Sequence, residues 1–96
     1  KELAIVRVRC PSASQKLASQ AVRFVQELRK QDIFKVPGIA ETLDWVKALV
    51  TLKQLSITQD TTDETLGLIL KYQDDMALVR GEMVGKILKK TSVSPK

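Results

Sequence analysis

The residues of this 96-residue chain best placed to do chemistry stand at Pro37-Gly38-Ile39-Ala40-Glu41-Thr42. A Pro-Gly pair ends one segment and opens another, so a helix is expected to start at Ile39. The first turn of a helix has unpaired N–H groups and the positive end of the backbone dipole, which together favour an anion. Thr42 could add a hydroxyl donor. The alternative is local: Glu41, Thr42 and Asp44 cap the helix and dock it against a neighbour.

Other chemistries are excluded by composition. There is no histidine, so no Ser-His-Asp triad, imidazole base or His-ligated zinc site can form. Cys10 is the only cysteine, so it can make neither an internal disulfide nor a cysteine zinc site. Neither a G-x-x-x-x-G-K-[ST] nor a G-x-G-x-x-G phosphate loop occurs. No complete catalytic centre is expected, and no metal site. No apolar run approaches the roughly 18 residues of a membrane span. A cytoplasmic, reducing setting is the expectation.

The net charge of +5 raises the question of nucleic acid. Lys16, Arg23 and Lys30 recur at heptad spacing and could grip phosphates. However, the charges are spread, with 9 basic and 5 acidic residues in 1–48 and 7 and 6 in 49–96. No aromatics interleave with the basic row. It reads as the wet face of a helix.

These residues must be positioned by helices. Leu17, Ala21, Phe24 and Leu28, with Ala18, Val22 and Val25 beside them, form a broad stripe after a capping-box pattern at Ser12-x-x-Gln15. Asp32 to Gly38 is an apolar connector in which Ile33, Phe34 and Val36 should pack down. A second helix is expected over about Ile39–Leu52, with Ile39, Leu43, Val46 and Val50 as its stripe, Leu49 alongside, and Trp45 as a large core or domain-contact residue. Leu55-Ser56-Ile57 reads as a short extended piece. Thr61-x-x-Glu64 is a second capping box, before a helix over about Thr62–Tyr72. Asp74-Asp75 either caps a final helix burying Met76, Val79, Met83 and Ile87, or sits exposed on one long helix. Residues 1–10 fit a strand at Val6-Arg7-Val8-Arg9 or a helix at Glu2-Leu3-Ala4-Ile5. Gly81-x-x-x-Gly85 carries little meaning outside a membrane. The chain is expected to begin within a longer protein, and residues 91–96 to be a disordered tail. The fold class is all-α, a bundle of four or five helices over 1–90.

The run Phe34-Lys35-Val36-Pro37-Gly38-Ile39-Ala40-Glu41-Thr42-Leu43-Asp44-Trp45 resembles the K-x-P-G-[IV]-A-E-T-[LI]-D-W signature in the C-terminal helical lid of MoxR-type AAA+ ATPases. The flanks Phe24-Val25-Gln26-Glu27-Leu28-Arg29 and Leu66 to Asp75 are similar to the lid segments on either side of it. The resemblance covers nearly the whole chain. It implies a lid over residues 1–90 that closes on ATP, with its Mg, held by a P-loop core elsewhere in the parent. It further implies a ring of neighbouring subunits, typically a hexamer, and chaperone-like remodelling or metalloenzyme maturation with von Willebrand factor A proteins as partners. It places the lid side of a nucleotide site at Gly38, Ile39, Ala40, Glu41 and Thr42, and core-docking contacts at Phe34 and Trp45. The sequence departs from many AAA+ lids in one respect. The position of their phosphate-sensing arginine falls near Thr42, and no arginine lies between Lys35 and Arg80. Two rival expectations remain: a helical nucleic-acid-binding module, and a free-standing adaptor anchored by Trp45, Phe34 and Ile33.

Overall fold

Pro11 decides where the longest helix begins. In the computed structural model, which describes residues 1–92 and the side chains of 1–90, the Ala13 N–H donates to the Cys10 carbonyl at 3.1 Å, closing a turn with proline at its second position. Ser12 is caught in that turn. The cap is therefore Ser14, whose hydroxyl accepts from the Leu17 N–H at 3.0 Å, and helix α2 (Gln15–Leu28) follows. Its expected stripe is buried throughout: Leu17, Ala18, Ala21, Val22, Phe24, Val25 and Leu28. It forms the central post against which the helices before, after and at the end of the chain pack.

Six α-helices form, and the described residues contain no strand. The open question over residues 1–10 resolves as helix α1 (Glu2–Arg9). Of the alternating Val6 and Val8, only Val6 is buried, while Val8 faces outward. A lone alternating run has no sheet to join, whereas a helix satisfies its own backbone and still buries Val6.

Helix α3 (Ile39–Thr51) starts after Pro-Gly as expected, but turned by about one residue. Its buried face is Thr42, Trp45, Val46 and Leu49, while Leu43 and Val50 pack at the edge and Ile39 is exposed. Trp45, the largest buried side chain, sets that rotation. It is fully enclosed, its ring lies 5.3 Å from that of Phe24, and its indole N–H donates to Thr65 Oγ1 at 2.7 Å. The helix ends in a Schellman motif, with Gln54 N–H to the Leu49 carbonyl, Lys53 N–H to the Val50 carbonyl, and Lys53 left-handed at φ 62°.

The Leu55–Ile57 stretch is loop, pinned where the Ile57 N–H donates to Gln20 Oε1 at 2.9 Å. The cap of α4 (Gln59–Thr65) is Thr58, not Thr61. A single 3₁₀ turn, Leu66–Leu68, ends that stretch and puts Leu66, Ile69 and Leu70 into the core, so no helix reaches Tyr72. Beyond it, α5 (Gln73–Val79) and α6 (Glu82–Ser92) are separate. The break is at Gly81, φ +86°, a conformation that glycine takes without steric cost. Helix α4 holds the elbow: the Gly81 N–H donates to Asp63 Oδ1 at 3.0 Å, and Gln59 Nε2 donates to the Gly81 carbonyl at 2.8 Å. A Cβ at Gly85 would stand 3.0 Å from Gln59 Oε1, so of the two glycines of the G-x-x-x-G pattern Gly85 leaves room for that glutamine, while Gly81 serves the turn. Val79, Val84 and Ile87 are buried, with Met76 and Met83 partly so. Of the expected tail, Thr91 and Ser92 continue α6, and 93–96 lie outside the described residues.

Candidate functional site

The Pro37–Thr42 turn is built on an ionic node that sequence spacing does not show. Arg29, at the end of α2, donates from Nε to the Pro37 carbonyl at 2.7 Å. Its two terminal nitrogens grip Glu2 of α1 at 2.7 and 2.8 Å. The Thr42 hydroxyl donates to the same Glu2 carboxylate at 3.0 Å and lies 3.1 Å from the Gly38 carbonyl. Three helices and the signature turn thus meet on one carboxylate–guanidinium pair. A planar fork matched to a carboxylate is the strongest geometry such a pair has. The Arg29 contact holds the Glu2 carboxyl below its usual range against the opposing effect of burial, with Thr42 adding to it. Arg29 is raised correspondingly, chiefly by Glu2.

The outer part of the turn is arranged differently. Gly38, Ile39 and Ala40 are exposed. Glu41 reaches back so that Oε1 accepts the Gly38 N–H at 2.9 Å, and its Oε2 lies 3.5 Å from Lys71 Nζ. Those backbone N–H contacts, with Lys71 helping, lower the Glu41 carboxyl. The positive end of α3 is therefore occupied by the protein's own acid.

Beside the turn lies an exposed aromatic ledge. Phe34 is 76% exposed and Tyr72 51%, and they meet edge to face at 6.0 Å. A hollow of about 440 Å³ is lined by Phe34, Tyr72, Gln73 and Asp74. A second of about 370 Å³ shares Phe34 and Asp74 and adds Asp32, Ile33, Asp75 and Leu78. The connector between them is held in place. Buried Asp75 accepts the Phe34 N–H at 2.9 Å and the Lys35 N–H at 3.2 Å. Asp75 thus serves the connector as well as the first turn of α5.

These placements sort the sequence-derived candidates. Gly38, Ile39 and Ala40 are on the surface, Glu41 is half-buried as a cap, and Thr42 is wholly buried with its hydroxyl engaged. Phe34 is on the ledge and Val36 is also exposed, contrary to the expectation that both pack down with Ile33. Trp45 is enclosed by this chain's own core, which corrects its reading as a docking contact or adaptor anchor. Glu2, Arg29, Tyr72 and Asp75 are the residues that sequence reading missed. Arg29 is notable because it brings an arginine to the signature turn from α2, although its fork is committed to Glu2. Lys16 and Arg23 are exposed on α2 and Lys30 in the turn after it, but Glu27 interrupts the basic surface, pairing with Lys30 at 3.1 Å and Lys90 at 3.7 Å. Among the described residues no group of three His, Cys, Asp or Glu could hold a metal, and no helix is long and apolar enough to cross a membrane.

No known protein family, curated protein or solved structure matches the chain.

Proposed function

We propose that this chain is the helical lid of a MoxR-type AAA+ ATPase, acting by docking and closure while catalysis resides in a P-loop core elsewhere in the parent. The carrying observation is the Phe34–Trp45 run. An all-helical bundle that carries this run on one turn and one helix supports the reading, as does an apolar ledge exposed beside it.

Within that reading the geometry supports a division of roles. The turn at 38–42 does not suit a triphosphate. Glu41 presents a carboxylate where a phosphate would sit, and Thr42 points its hydroxyl inward to Glu2. Nucleotide contact is therefore left to the core, and the lid's part is mechanical. The Glu2–Arg29–Thr42 node fixes the turn, and Phe34 with Tyr72 meets the core. The ring of subunits, the remodelling activity and the von Willebrand factor A partner belong to the proposal through the resemblance alone.

The test has two halves. The gene should encode a G-x-x-x-x-G-K-[ST] loop on the N-terminal side of Lys1, and the parent protein should hydrolyse ATP. Phe34→Asp in the parent should lower kcat by about tenfold or more, since a 1.4 kcal/mol loss of docking is a factor of ten. The chain by itself should show no turnover. An upstream region without a phosphate loop, or ATP hydrolysis by this chain alone, overturns the proposal.

A further inference from the structure

The ledge carries more chemistry than apolar exposure. Its two hollows adjoin at Phe34 and Asp74, which line both, and are treated together as one groove beside the aromatic pair. The walls are Phe34, Tyr72, Ile33 and Leu78, and the rim carries Asp32 and Asp74. Neither rim carboxylate has an ion pair or hydrogen bond among the described residues, in a chain whose net charge is +5. The neighbouring lysines do not neutralise them. Lys71 is turned to Glu41, and neither Lys35 nor Lys71 lines the groove. The groove is also pre-formed, because Asp75 fixes the backbone of Phe34 and Lys35.

Exposed ring faces attract a cation, and a carboxylate beside them holds its charge. Arginine satisfies both demands in one side chain, since its plane stacks on an aromatic ring while its fork reaches a carboxylate. The aliphatic walls call for apolar neighbours on the same segment. The geometry points to a groove that takes an arginine flanked by apolar residues, with the guanidinium between Phe34 or Tyr72 and Asp74. This deepens the lid reading and rests on it for the source: the segment belongs to the core domain of the parent chain.

The groove's chemistry is tested first on this chain, with the blocked tripeptides Leu-Arg-Leu and Leu-Gln-Leu followed by backbone amide NMR. Leu-Arg-Leu should shift residues 34 and 72–75, and Leu-Gln-Leu should bind at least about fivefold more weakly, the cost of losing an exposed cation–aromatic contact and its charge partner. Asp74→Asn and Phe34→Ala, both at exposed positions that leave the fold intact, should each weaken Leu-Arg-Leu by about two- to fivefold. Equal binding of the two peptides, or shifts elsewhere on the surface, overturns the proposal. The source is tested by placing a benzophenone side chain at position 72 in the parent protein and sequencing the photo-cross-link. An arginine-bearing core segment supports the assignment; a segment without arginine, a second copy or a separate protein overturns it. A parent lacking a phosphate loop would sink the lid reading while leaving the tripeptide result to stand by its own outcome.

Discussion

The inner and outer faces of the Phe34–Trp45 run are built on opposite terms. Inside, Thr42 and Trp45 are fully buried, and their polar atoms have partners in Glu2 and Thr65. Outside, Phe34 and Tyr72 stand in solvent beside two carboxylates that have no partner among the described residues. Buried polar groups must be satisfied internally, so the inner face is complete as it stands. The outer face still has apolar area and charge to match, which is where a partner gains most. One short segment is therefore closed within the fold on one side and open to solvent on the other.

That division can be broken from the inside first. Trp45→Ala removes the central ring and the indole donor to the Thr65 hydroxyl, and should cost about 3–5 kcal/mol in chemical denaturation. A loss below 1 kcal/mol would mean that Trp45 is not the core residue described. Asp75→Ala lies on the boundary between the two faces. It removes the acceptor of two backbone N–H groups, and should cost about 2 kcal/mol while broadening the amide resonances of 34 and 35. Unchanged resonances there would show that the connector is held by something else.

Glu2→Gln sharpens the inner face through its pH dependence. The folded carboxyl lies below its unfolded value, so its contribution is present above the unfolded pKa and is lost as pH falls through the folded one. The variant should be less stable by about 1–2 kcal/mol at pH 7, and the gap to the parent sequence should close in strong acid. A gap that persists below pH 2 contradicts the ionic account. The smallest effect should come from outside. Phe34→Ala should change stability by no more than about 0.5 kcal/mol, because its ring is mostly in water. A larger loss would place Phe34 in the core after all.

The inner face was the more legible in sequence. The α2 stripe and the Pro-Gly start of α3 are local patterns, and both helices form where those patterns put them. Caps were less legible. Ser12 and Ser14 both qualify by type, and the Pro11 turn chooses between them; Thr58 takes the place of Thr61 for α4. The Glu2–Arg29–Thr42 node was not legible at all. Its members are 27 and 40 residues apart from Glu2, and no spacing rule connects residues so distant. Phe34 misled because an apolar residue in a connector is normally expected to pack down, and only the fold shows that Ile33 takes the inward position.

The Asp75 clasp has one more consequence. A connector that hangs free absorbs a push by bending, whereas one whose backbone is bonded to the first turn of α5 acts as a strut. The Phe34 backbone is tied through Asp75 to α5, and the Gly81 elbow that follows α5 is tied through Gln59 and Asp63 to α4. Four side-chain hydrogen bonds thus join the connector, α4, α5 and the elbow before α6 into one continuous frame.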